Sequence, residues 1–245
     1  MNSAQINRQV RRLHLWFGVA IGVQIGLWLI SGLFMTWFSI DHVRGDHLKA
    51  AAQMSQIDRH RLKAILTPSE ILSSIDTINP ESMTLKTLDG ELVWLLESNE
   101  RSVLVHSKTA EVLSPLPKAI VIKIAQARYA GKGQLAGATY YQNPPREYGR
   151  STPVWKVDFA KPQAASFYID ASSADVKAVR TGLWRVFDFM WGLHIMDWKN
   201  RDNFNSWWIK LTATLAIIFF ITGVCLSIFR FRSMLTRSKT HHQKT

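Results

Sequence analysis

The chain has 245 residues, is 47% hydrophobic with ten Trp, and carries a formal net charge of +12. All 18 acidic residues lie between Asp41 and Asp202, so the surplus of base collects towards the two termini. Basic clusters beside apolar runs are the pattern of membrane topology, which sets nucleic acid aside as a partner. The single cysteine, Cys225, excludes an intrachain disulfide and any cysteine-ligated zinc or iron–sulfur centre.

Residues 1–12 read as a basic tail with Arg8, Arg11 and Arg12. Leu13–Ile40 then contains no Lys, Arg, Asp or Glu. About 20 helical residues cross a hydrocarbon core of roughly 30 Å, so 13–40 predicts a first transmembrane helix. It is too long for a signal h-region and is read as a retained anchor. Inside it His14, Gly18, Gly22 and Gly26 recur every four residues and drift slowly round one face. Glycine at that spacing lets a second helix or a flat ligand approach the backbone. Two readings stay open: a packing face with an interfacial histidine, or a porphyrin slot with His14 as an iron ligand.

Residues 41–180 read as a soluble domain. Asp41, His42, Asp46 and His47 stand just outside the bilayer as hydrated charge, with His42 and His47 as secondary metal-ligand candidates. Thr67-Pro68-Ser69-Glu70 has the form of a capping box with proline in the first helical position, and Ile71, Leu72 and Ile75 give the helix an apolar face. Asp89-Gly90 between two strand-like runs predicts a hairpin. A second helix follows Pro117, with Ile120, Ile124 and Ala127 on one face and Gly131 ending it. A polar loop then runs to Arg150, followed by strands in STPVWKVDF and ASFYIDASSADVKAV. Trp94 and Trp155 occupy matching places, as do VLVHSKTAEVL and FYIDASSADVKAV, which reads as an internal duplication.

Residues 181–206 predict an amphipathic helix in the membrane interface, with Leu183, Phe187, Met190 and His194 on one face. Trp198, Trp207 and Trp208 suit the headgroup belt. Residues 207–229 predict the second span, with Lys210 snorkelling near its start. Residues 230–245 form the second basic tail. The charge rule puts both tails in the cytoplasm and 41–206 outside.

No nucleophile elbow, HExxH, CxxC or Walker loop is present, and nothing resembles a flavin or nicotinamide fold, so electrons would come from a partner. Histidines are the remaining candidates, because neutral imidazole in an apolar setting suits haem iron. His14 and His194 lie at opposite edges of roughly 30 Å of hydrocarbon and cannot grip one iron. Two haems would then each need a second imidazole, His14 from another copy and His194 from His42 or His47. The alternative for His194 is an imidazole bonded to Asp197, Asp188 or backbone.

Together these residues resemble the PepSY-associated transmembrane family, which includes iron-regulated membrane proteins and siderophore-iron reductases. The resemblance rests on His14, Gly18, Ser31-Gly32, Leu193-His194, Thr222-Gly223 and Phe229-Arg230. It also rests on IDASSADV, which keeps the family's Asp at Asp170 but has Ala174 for glycine. The first copy has His106 and Ala110 at those places. The resemblance implies an α+β membrane protein: two transmembrane helices flanking a periplasmic domain of two PepSY-like repeats. It implies haem b held by His14 and His194, with Gly18 and Gly22 lining the slot. It further implies electron transfer across a bacterial inner membrane towards ferric-siderophore reduction or uptake. Larger members have four spans, so this two-span chain would work as a homodimer or in complex with a flavin reductase. A second expectation is a non-catalytic anchor whose outer domain binds or regulates a partner protein.

Overall fold

A computed structural model describes residues 3–51, 59–76 and 78–242. In chain order the elements are α1 (Ser3–Trp37), α2 (Ile40–Val43), α3 (Arg59–Leu62), α4 (Pro68–Ser74), β1 (Ser82–Leu88), β2 (Glu91–Glu97), β3 (Ser102–His106), α5 (Lys118–Arg128), β4 (Leu135–Tyr141), β5 (Val154–Phe159), β6 (Ala165–Asp170), β7 (Val176–Thr181), α6 (Gly182–His194) and α7 (Trp207–His242). They divide into a membrane unit, Met1–Phe38 with Val186–Thr245, and a second unit, Ser39–Arg185.

Apolar length makes the membrane unit. Arg8–Trp37 of α1 and Trp207–Met234 of α7 are each long and apolar enough to cross a bilayer. The two helices pair antiparallel, His14 beside Thr222 and Gly18 beside Phe219. α1 starts ahead of its expected span and α7 runs past the end of its own, because a helix continues into polar sequence until something breaks it, while α1 stops three residues short of the expected Ile40. α1 begins inside the basic tail and stops at Trp37, and α7 runs on through Arg230 and Arg232. Residues 181–206 are helical only as far as His194, and a loop completes the segment.

The second unit holds two antiparallel sheets, β1-β2-β3 and β4-β5-β6-β7. Asp89 and Gly90 form the expected two-residue turn between β1 and β2, both at positive φ (48° and 84°). The Thr67–Glu70 capping box is formed as well. Ile71 and Ile75 of that helix region are buried, whereas Leu72 faces out. On α5 the buried residues are Val121 and Ala125, flanked by Ile120 and Ile124, while Ala127 is exposed. The loop expected before Arg150 contains a whole strand, β4.

The duplication is physical. Trp94 Nε1 donates to the Leu66 carbonyl oxygen (3.2 Å), and Trp155 Nε1 donates to that of Leu116 (3.0 Å). Each acceptor immediately precedes the N-cap of its repeat's helix, Thr67 or Pro117. Leu66 N bonds Ser107 O and Leu116 N bonds Ala171 O, both at 2.8 Å. Ala110 and Ala174 both take positive φ (56° and 66°), so each turn keeps the left-handed conformation that glycine favours. His106 also substitutes chemically for Asp170. Its Nδ1 accepts the Lys108 N–H at 3.3 Å, as the Asp170 carboxylate accepts those of Ser172 and Ser173.

Candidate functional site

Each end of the α1–α7 pair carries one imidazole docked on a hydroxyl–glycine step of a neighbouring helix. His14 Nδ1 lies 2.9 Å from Thr222 Oγ1 and 3.2 Å from the Phe219 carbonyl oxygen. Its ring stacks on Phe219, centroids 4.2 Å apart and planes within 7°. Gly223 makes the notch: a Cβ there would stand 3.0 Å from His14 Cε1. At the other end His194 Nδ1 lies 3.0 Å from Ser31 Oγ. A Cβ on Gly32 would stand 3.7 Å from its Cε1. Trp28 Nε1 donates to the His194 carbonyl oxygen at 2.7 Å, fixing the backbone beneath the ring.

The hydroxyls fix the tautomers. A carbonyl oxygen only accepts, so its contact with His14 Nδ1 requires that nitrogen to carry the proton. Thr222 donates its own proton to Phe219 O (2.8 Å), which leaves Oγ1 to accept from Nδ1. Ser31, fully buried, likewise donates to Leu27 O (2.6 Å) and accepts from His194. In the neutral form of each ring Nε2 then carries the lone pair, and among the described residues it meets no hydrogen-bond partner. An imidazole anchored through Nδ1–H with Nε2 free is the arrangement of a metal-ligating histidine. His14 and Ser31 stand roughly 25 Å apart along α1 at about 1.5 Å of rise per residue, so the two rings serve separate centres.

The other expected residues fall differently. Gly18 faces α7, where an added Cβ would meet Phe219 at 3.0 Å. Gly22 and Gly26 face open space, because the four-residue spacing drifts off the seam that Ile21 occupies. Asp188 and Asp197, expected as bonding partners of His194, are engaged elsewhere: Asp188 pairs with Arg201, and Asp197 caps backbone N–H groups of its own loop. His42 and His47 stack face to face, centroids 4.0 Å apart and planes within 6°. Parallel rings hold their in-plane lone pairs side by side rather than aiming them at one ion. Burial and then the neighbouring His42 push His47 below its ordinary value, with Asp46 opposing. Among the described residues no cluster of three or more His, Cys, Asp or Glu is placed to hold a metal.

Residues 11–245 match the model of the PepSY-associated TM region. This chain belongs to that family. No curated protein matches it, and no solved structure does. The family signature read from the sequence falls on both docked pairs, His14 with Thr222-Gly223 and His194 with Ser31-Gly32. Sequence reasoning did not find which residue pairs with which, nor the parts played by Phe219, Trp28 and Arg201. A hydroxyl followed by glycine inside an apolar span was the available signal.

Proposed function

We propose that this family member carries electrons across the bacterial inner membrane through haem b held at His14 and His194, in ferric-siderophore reduction or uptake. The observation that carries the reading is the pair of tautomer-fixed imidazoles, one towards each end of the spans, each with a free Nε2. His14 and His194 would each hold a haem through Nε2, and Gly223 and Gly32 keep bulk away from the rings. Bound there, haem supplies one-electron chemistry. Thr222 and Ser31 hold the ligand protons on Nδ1, and Phe219 fixes the plane of His14. A further imidazole for each centre would come from another copy or another subunit. A flavin reductase as electron donor and a ferric siderophore as acceptor complete the proposal.

Purified protein from haem-replete cells should show a Soret band and, on reduction, the sharp α-band of six-coordinate low-spin haem. His14→Ala should remove the part of that signal belonging to its centre while the protein still inserts. His194→Ala should remove the other part. Wild-type protein without Soret absorbance would sink the redox reading. A second reading is favoured by the same contacts: each imidazole also fastens two helices, which suits a non-catalytic anchor whose outer domain binds or regulates a partner protein.

A further inference from the structure

Within the membrane unit α6 has two unlike faces. The side bearing Asp188, Trp191 and Gly192 is closed by the loop that follows. The Arg201 guanidinium pairs with Asp188, and Trp191 Nε1 donates to the Arg201 carbonyl oxygen at 3.0 Å. The Arg201 stem lies where a Cβ on Gly192 would come within 2.9 Å of it. Asp197 accepts the backbone N–H groups of Lys199, Asn200, Asp202 and Asn203, each at 3.2 Å. The Asn203 N–H foremost holds that carboxyl below its ordinary value. The polar side of this segment is therefore satisfied from within.

The other side is apolar. Val186, Phe189, Met190 and Leu193 fall at i, i+3, i+4 and i+7, one stripe of a helix. Val186 and Phe189 are 45% and 49% exposed, and Trp198 and Phe204 in the loop 58% and 59%. Large apolar side chains exposed together on a short segment mark contact with something other than water. Its depth is fixed by two bonds. His194 reaches Ser31, and Trp28 reaches the His194 carbonyl oxygen, roughly 9 Å before the end of α1 at about 1.5 Å per residue. At the same end α7 opens on Trp207 and Trp208, stacked 3.7 Å apart.

We propose that Val186–Phe204 is an interfacial wedge. Its Val186–Phe189 stripe, with Trp198 and Phe204, sits among lipid at the bilayer boundary and holds His194 at the hydrocarbon edge rather than in water. Lipid is the occupant because this segment belongs to the same unit as two helices long and apolar enough to span a bilayer, both with exposed apolar side chains. Exposed tryptophans at the ends of spans also match the chemistry of the headgroup layer. No residue of the stripe is itself charged, and the Arg201 guanidinium, paired with Asp188, lies 5.9 Å from the Phe189 ring centroid.

The test uses the full chain with Cys225→Ser, single cysteines at 186, 189, 198, 204 and 200, nitroxide labels, and bilayers of neutral and anionic phospholipid. Labels at 186, 189, 198 and 204 should collide more with oxygen than with a water-soluble nickel chelate, and the label at 200 the reverse. Labels at 189 and 198 as open to nickel as that at 200 would overturn the wedge. Labels closed to both would mean a protein covers the face and would overturn lipid as the occupant. In the cysteine-intact chain, brominated phospholipid should quench a share of Trp emission that Trp198→Phe removes, and an unchanged quenched share would overturn the wedge. None of these readouts requires haem, so the redox proposal stands or falls separately.

Discussion

A hydroxyl has one proton to give, and three buried or half-buried hydroxyls here use it differently. Ser31 and Thr222 donate to a carbonyl of their own helix and accept from a histidine, so both capacities are filled. Ser107 Oγ is buried and has no partner among the described residues. The matching place in the second repeat is Ala171, and the backbone bond it makes to Leu116 reproduces the one from Ser107 to Leu66. The fold therefore accepts a methyl there. An unsatisfied buried hydroxyl costs about 1 kcal/mol or more. Ser107→Ala should accordingly raise the unfolding midpoint in detergent by an amount equivalent to about 1 kcal/mol. A lower midpoint would show that the hydroxyl has a partner after all. The histidines and their hydroxyls were individually legible in the sequence. Their pairing was not, because it depends on the antiparallel register of α1 against α7, which no periodicity sets.

Elements were legible where their causes are local. The capping box at Thr67 and the Asp89-Gly90 turn each need only a few neighbouring residues, and both formed. β4 was missed because LAGATYY sits among Gly and Pro, carries a register shift near Leu135, and lacks alternation of buried and exposed positions. The polar cluster on the β5–β6 sheet was also missed, since it assembles from distant segments. Glu147 accepts two bonds from Arg185 (2.9 and 3.3 Å) and one from the Tyr168 hydroxyl, with Lys156 3.8 Å away. Burial pushes the Glu147 carboxyl up, but the bonds from Arg185 and Tyr168 and the charges of Arg185 and Lys156 together hold it below its ordinary value. Burial pushes the Tyr168 hydroxyl up, and the bond to Glu147 adds to that. A carboxylate depressed in the folded state stabilises it at pH above the unfolded value, and that contribution disappears as pH falls through the folded one. Thermal unfolding of wild type and Glu147→Gln should therefore differ most near neutral pH and converge in acid. A difference that stays constant from neutral to acid pH would show that the loss is packing and not charge.

At the scale of the whole molecule, charge and length together predict an orientation. Two candidate spans flank the Ser39–Arg185 unit in the chain, an order that predicts both termini on one side of the membrane. The acid-free ends predict the cytoplasmic side for both: Arg8, Arg11 and Arg12 stand at one, and Arg230, Arg232, Arg237, Lys239 and Lys244 at the other. Arginine and lysine within roughly 15–20 residues of a span resist translocation, whereas acids contribute little. Here nothing opposes them, since no acid precedes Asp41 or follows Asp202. The two spans were legible because hydropathy acts through sequence alone. Alkaline phosphatase fused after Gly90 should accordingly be active and fused after Lys239 inactive, since the enzyme folds only outside the cytoplasm. Reversing the charge bias with Arg8→Glu, Arg11→Glu and Arg12→Glu should lower the activity of the Gly90 fusion by making the first span ambiguous. Activity only in the Lys239 fusion would invert the topology, putting the Ser39–Arg185 unit in the cytoplasm and His14 rather than His194 at the outer edge.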